Sequence, residues 1–360
     1  MLNYLYYIIG ILLLLILTVV LFIVYYHLKH KRKNKIFEEK KDDWENILFQ
    51  YLNDDLSLEA AAADMNDSYF YLYDFLKPYL KNIKGNDLQK IKDLAQANKM
   101  TDFFLKKLAR GSEEEKIKAA AFLGKIGEKR ALPLLKKYLN SNNKNLMTAS
   151  IRAVADIGET ELYFAVLKTV LNEKSFTFEA LTDILIRFGE ESCYLLREFL
   201  EKNFIKEKRL EERLGVPEYQ SLSLFFDIFG YFRFIPGVEI MLAALKAEYN
   251  EEVLIHIFKA LVKIEYPVDQ DLKPYLHHQN WVIRSQAARY LAKIKDSSYL
   301  ADLKDLISDQ NWWVRYYSAL AIFKLGQKEL LIEIVKNKQP GFEMGRYILA
   351  QAGNLKVEEG

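Results

Sequence analysis

Cysteine is almost missing from this chain: Cys193 is the only one in 360 residues. No disulfide can close within it, and no cysteine cluster can hold a metal ion. Proline and glycine are scarce as well, at seven and 15. With so few chain breakers, long helices joined by short turns are the natural reading. Neither sign of charge prevails, since 51 basic residues face 49 acidic ones and the net charge is +2. The chain as a whole is therefore not drawn to nucleic acid.

The motifs of several chemistries are also missing. No glycine-rich phosphate loop is followed by Lys-Ser/Thr, and no HExxH or serine nucleophile elbow occurs. The histidines are His27, His30, His256, His277 and His278. His277 and His278 are adjacent, so a helix would point them to different sides. They read as turn residues rather than metal ligands, and neither metal nor cofactor is expected. The acid pairs Glu190-Glu191, Glu211-Glu212 and Glu251-Glu252 are immediate neighbours. Such neighbours do not face each other as a general acid and base would. Cys193 opens an amphipathic segment and reads as a small packed residue.

What is present begins with an apolar run. "YLYYIIGILLLLILTVVLFIVYY", residues 4–26, has no charged side chain. A helix of that length reaches roughly 34 Å, enough to cross a bilayer core. Tyrosines stand at both ends and the basic run "HLKHKRKNK" follows, within a linker over 27–42. Aromatic belts and the positive-inside bias then predict a single-pass anchor, N-terminus outside, with the body in the cytoplasm. The run is too long, and lacks the basic start and the small-residue site, of a cleavable signal.

The second feature is a repeat. "IKAAAFLGKIG", "ASIRAVADIG" and "EALTDILIRFG" end at Gly127, Gly158 and Gly189, 31 residues apart. "LSLFFDIFG" ends at Gly230, and later copies end at Glu265, Lys295 and Gly326; "GRYILAQAG" closes a shortened copy at Gly353. In one copy Ile283, Ala287, Leu291 and Ile294 share a helical stripe. In the next, Val314, Ser318, Ile322 and Leu325 do so. Small residues (Ala120, Ala288, Ala319) stand near the middle, where neighbouring helices approach. The terminal glycines suit a left-handed helix end. Second amphipathic segments such as "ALPLLKKYLN" and "YLADLKDLIS" lie between these helices. No such unit can bury its stripe alone, so the fold class is all-α: a transmembrane helix followed by an α-solenoid. Residues 43–111 are helical but out of phase, and are expected to cap the stack or to be divergent repeats. The repeats span 112–353, with a longer interval that holds "FIKEKRLEERLGVPEYQ", 204–220.

The stretch "NWWVRYYSALAIFKLG" with "KELLIEIVKN" resembles the HEAT repeat in its short bacterial form. The resemblance covers about Ser112 to Gly353. It implies an Asp six positions before an Arg, forming a ladder between repeats. Asp309 and Arg315 match this, whereas the preceding copy has His278 before Arg284. Some solenoids of this kind are lyases or DNA glycosylases. Others are membrane-anchored and accompany membrane glycosyltransferases of surface polysaccharide synthesis.

Fold alone carries no activity. A DNA-binding form would want a basic face, but the inner helices mix Glu114, Glu115, Asp156, Asp183 and Asp227 with Arg152, Arg187 and Arg284. Trp, Tyr and Arg are enriched at binding hot spots. Trp281 and Trp312 recur 31 residues apart and read as structural staples at helix starts. Trp313, Tyr316 and Tyr317 replace Val282, Ser285 and Gln286 of the previous copy. Together with Arg284 and Tyr290 they are the candidate contacts for a protein partner, expected to be membrane-associated. The function expected is that of a non-enzymatic, membrane-tethered scaffold. The alternatives are an enzyme of the lyase or glycosylase kind, or a sensor that binds a soluble regulator.

Overall fold

The computed structural model describes residues 2–65, 67–247 and 250–353. Among these, helix is the only regular structure, and the chain forms two compact units, Met1–Ala153 and Val154–Gly360.

The first unit begins with α1 (Leu2–Leu52) and continues through α2 (Leu58–Asp64), α3 (Tyr69–Asn82), α4 (Gly85–Ala97), α5 (Met100–Arg110), α6 (Glu113–Ile126) and α7 (Leu132–Tyr138). Its division from the second falls inside α8 (Lys144–Ile157). Among the described side chains of α1, those of its last turns join the core. There Trp44 and Leu48 are buried, and the Trp44 ring packs 5.6 Å from Phe75. Tyr51 donates to the Lys90 carbonyl, and Tyr79 donates to Glu45. Phe104 of α5 meets Phe122 of α6 at 4.4 Å and Tyr73 of α3 at 5.7 Å. α3 and α5 therefore pack on α6 through an aromatic core. α6 starts with a capping box in which Ser112 and Glu115 bond each other's backbone N–H. Lys107 adds a 2.6 Å bond to Glu115 and holds that carboxyl below its usual range.

The expected transmembrane helix over 4–26 is not upheld. Among the described residues no helix is long and apolar enough to cross a membrane. The apolar run is not an element of its own: it is the first part of a 51-residue helix that continues through a charged stretch into Trp44 and Leu48. The side chains of 2–6, 8, 9 and 26 lie outside the described set, as do those of Lys29 to Asn34 in the basic linker. The single-pass topology and the cytoplasmic location rested on that span and fall with it.

The second unit holds α9 (Tyr163–Asn172), α10 (Phe178–Ile186), α11 (Glu191–Leu200), α12 (Leu210–Leu214), α13 (Glu218–Phe232), α14 (Val238–Lys246) and α15 (Glu251–Ile264). It continues with α16 (Lys273–Leu276), α17 (Trp281–Ile294), α18 (Leu300–Leu306), α19 (Trp312–Lys324), α20 (Lys328–Lys336) and α21 (Phe342–Gln351). The predicted stripes face inward. Ile283, Ala287, Leu291, Val314, Ser318 and Ile322 are fully buried, whereas Ile294 and Leu325, at the helix ends, are half-buried. Ala120, Ala288 and Ala319 are buried as well.

Left-handed residues end the repeat helices and set the true register. Gly127, Gly158, Gly189 and Gly326 have φ of 75° to 83°. In the other copies Arg233, Glu265 and Lys295 take the same conformation at 52° to 58°. The fourth copy thus ends at Arg233 rather than at Gly230, which lies within α13. A non-glycine residue in this conformation costs about 1 kcal/mol. Lys295→Gly is expected to stabilise the protein by about that much, read as a higher midpoint in urea. A lowered midpoint would mean that the lysine side chain contributes more than its backbone costs.

The long interval is not a free loop. α11 runs on as a π-helical turn over Glu201–Lys206, and α12 follows. Phe204, Leu210 and Leu214 are buried, and the Asn172 amide donates to the Leu214 carbonyl at 3.2 Å. The inserted residues therefore pack onto the stack, leaving Arg209-Glu212 and Arg213-Glu207 as exposed ion pairs. Cys193 is fully buried, and burial pushes its thiol up to about 12, far from a reactive thiolate at neutral pH.

Candidate functional site

The site grows from the first turns of α19. The Asp309 carboxylate accepts the Asn311 N–H at 2.7 Å, and the Asn311 side chain accepts the Trp313 N–H at 2.9 Å. This cap starts the helix at Trp312. Once Val314, Ser318 and Ile322 turn to the core, the helical period leaves Trp312, Trp313, Tyr316 and Tyr317 on the outer side. Residues four apart then lie face to face. Trp312 stacks on Tyr316 at 5.2 Å and 9°, and Trp313 stacks on Tyr317 at 5.9 Å and 24°. Between the stacks, Trp312 and Trp313 meet edge to face at 4.8 Å, and so do Tyr316 and Tyr317 at 5.2 Å.

Each such pair contributes about 0.5–1.5 kcal/mol, so the rings hold one another in place without being buried. Trp312 is 41 % exposed and Trp313 47 %. Tyr347 of α21 closes one side, 6.3 Å from both Trp312 and Tyr316. Arg289 of α17 closes another, its guanidinium 5.4 Å from the Tyr317 ring. These residues, with Lys293, Leu320 and Lys324, line an open hollow of about 410 Å³.

The division drawn in the sequence, with Trp312 structural and Trp313 free, finds no counterpart in exposure, because both rings belong to one platform. Trp281 is also 41 % exposed. Two candidate contacts are placed elsewhere. Tyr290 is fully buried, and its hydroxyl donates to the Tyr266 carbonyl at 2.5 Å. Burial raises its pKa well above the usual tyrosine range. Its position four residues before the α17 terminus faces the core, so it offers no surface to a partner.

Arg284 is a rung of the repeat ladder. It grips the Asp309 carboxylate with two bonds of 2.9 and 3.0 Å and donates to the carbonyls of His278 and Gln279. Arg315, expected to pair with Asp309 of its own copy, instead donates to the Asp309 and Gln310 backbone carbonyls. The side chain of Asp309 reaches back one repeat. Six positions along the chain are enough for Arg315 to find the backbone, while the carboxylate points across the seam.

Further rungs escaped the sequence because their residues do not stand six apart. Arg187 joins Asp156 at 2.7 Å and Asp183 at 2.8 Å. His256 joins Asp227 at 2.8 Å, and Lys293 joins Glu265 at 2.5 Å. His277 bonds Asp302 at 2.7 Å and holds that carboxyl below its usual range. In the first unit Arg130 reaches Asp102 at 3.1 Å. The acids and arginines of the inner helices are thus largely engaged with one another. Among the described residues, no group of three His, Cys, Asp or Glu side chains is placed to hold a metal ion.

Arg289 and Tyr347 were missed, although a signal existed. Counted back from the left-handed residues Lys295, Gly326 and Gly353, Arg289, Leu320 and Tyr347 each stand six positions earlier. They are one repeat position seen three times, and all three line the hollow.

A family model described as HEAT repeats matches residues 101–181 and 270–342. The first match takes in most of α5, ahead of the repeat start read at 112. No curated protein matches the chain. Two crystal structures of engineered proteins are similar. One has 16 % identity and a TM-score of 0.30, covering 63 % of this chain and 97 % of its own. The other has 16 % identity and a TM-score of 0.32, covering 74 % and 84 %. Family match, left-handed repeat ends and seam-crossing ladder agree that the chain contains HEAT repeats.

Proposed function

We infer that this HEAT-repeat chain is a non-catalytic scaffold that binds a protein partner through the platform of Trp312, Trp313, Tyr316 and Tyr317. The observation that carries the reading is the exposure of two tryptophans that the core does not use. Large rigid rings of this kind supply contact area at low entropic cost, and they are the residue types of binding hot spots. The ladder supports the non-catalytic part of the reading. Asp156, Asp183, Asp227, Arg187 and Arg284, the charges an enzyme on the inner helices would draw on, are engaged in pairs. A membrane glycosyltransferase as partner drew on the N-terminal span, which the structure does not carry, and is not part of the proposal.

A photoreactive amino acid placed at Trp313 in the full chain, in its native cells, tests the reading. A discrete crosslinked protein is expected there and not from the same group at exposed Glu329. Combining Trp313→Ala with Tyr317→Ala should abolish the adduct formed from position 312. The melting temperature should move by no more than surface changes usually cause. Equal crosslinking at both positions, or survival of the adduct in the double variant, would sink the proposal.

A further inference from the structure

The geometry points to an acidic, extended peptide segment as the part of the partner that enters the aromatic hollow. This inference rests on the proposed function and deepens it. The hollow is apolar on its floor, but its rim carries Arg289, Lys293 and Lys324, with no carboxylate among the described lining residues. Lys293 is engaged by Glu265 at 2.5 Å. Arg289 meets only the π face of Tyr317 and makes no ion pair among the described residues. Its N–H donors remain available for a carboxylate, which a guanidinium grips in two-point fashion.

The cations recur in the repeat register. Lys293 and Lys324 each stand two residues before the left-handed end of their repeat, and so does Lys263 one repeat earlier. Stacked helices lie about 8–10 Å apart, so the row repeats at about that interval. An extended peptide in the polyproline II form advances about 3.1 Å per residue with three residues per turn, so every third side chain returns to the same face roughly 9 Å on and meets the row in step. An acid at each third position, with apolar residues or prolines between them to lie on the rings, fits both the charge and the spacing. A nucleic-acid strand would bring phosphates to the same cations and bases to the same rings. The mixed charge of the repeat and the engagement of Lys293 favour a few spaced carboxylates over a continuous polyanion.

The test measures fluorescence anisotropy with the full chain and three labelled probes: a nonapeptide of three Glu-Leu-Pro units, the same peptide with Lys for Glu, and a deoxythymidine decamer. The glutamate peptide is expected to bind, and to weaken as salt rises. Arg289→Glu with Lys324→Glu should weaken it at least tenfold, as should Trp313→Ala with Tyr317→Ala. Circular dichroism melting of each variant reports folding separately. Equal or tighter binding of the lysine peptide or the decamer would overturn the inference. So would indifference to the charge reversal, or no binding of the glutamate peptide below about 1 mM. A crosslinked protein at Trp313 whose captured segment lacks spaced acids would leave the scaffold reading standing and this inference refuted. The absence of any crosslink would remove both.

Discussion

Asp309→Ala is expected to destabilise the second unit by about 3 kcal/mol, the usual consequence of removing one partner of a largely buried ion pair. Its carboxylate side chain is only 9 % exposed and that of Arg284 16 %. The substitution removes two bonds to the guanidinium and the bond from the Asn311 N–H, which helps to start α19. What remains is a largely buried guanidinium whose acceptors among the described residues are the carbonyls of His278 and Gln279, so most of the loss is the cost of that stranded charge. Asp305→Ala, on the exposed side of α18, should stay within about 0.5 kcal/mol. Adding Arg284→Met to Asp309→Ala should recover part of the loss, because the stranded charge goes with it. Urea unfolding of the four proteins reads this directly. Equal behaviour of Asp309→Ala and Asp305→Ala would show that the ladder contributes nothing to holding α17 against α19.

The second large effect is expected at Gly230. A β-carbon there would lie 2.8 Å from Ala260 Cα and 3.1 Å from its Cβ. Helices α13 and α15 touch backbone to backbone at this point, and no side-chain rotation relieves the overlap. Gly124 in the first unit repeats the arrangement, its β-carbon falling 2.5 Å from Ala153 Cα. In an isolated helix Gly→Ala would stabilise by about 1 kcal/mol. Here overpacking reverses the sign, and Gly230→Ala and Gly124→Ala should each cost about 2–3 kcal/mol. Thermal melting decides the matter: a raised midpoint for either variant would mean that the helices separate without penalty at that contact.

Gly230 also shows where the sequence misleads. In "LSLFFDIFG" it stands where other copies have their terminal glycine, and it was assigned that place. The helix runs three residues further and ends at Arg233. Gly230 and Gly124 both stand three positions before a left-handed residue, and their contacts Ala260 and Ala153 stand five before theirs. A glycine needed for φ and a glycine needed for close approach look the same in a sequence. Only the neighbouring helix distinguishes them.

The aromatic site divides in a similar way. Trp313, Tyr316 and Tyr317 stood out because they depart from the previous copy, and departure from a repeat needs no structure to be seen. Arg289 and Tyr347 belong to other helices and join the site only when the repeats stack. Tyr290 and Arg284 had the right chemistry for an interface, but stacking turned one to the core and committed the other to Asp309.

Periodicity alone determined that this chain is a helical repeat protein, where most repeats end, and which stripe of each faces inward. Those properties follow from local backbone preference and from the 3.6-residue period, which act within a single copy. The tertiary structure decided which charges meet across a seam, which glycine admits a neighbouring backbone, and which rings gather around one hollow. It also decided that the apolar start of the chain is part of a longer helix rather than a span. Each of these depends on atoms brought together from distant positions, and the distances between them are set by packing rather than by any one segment.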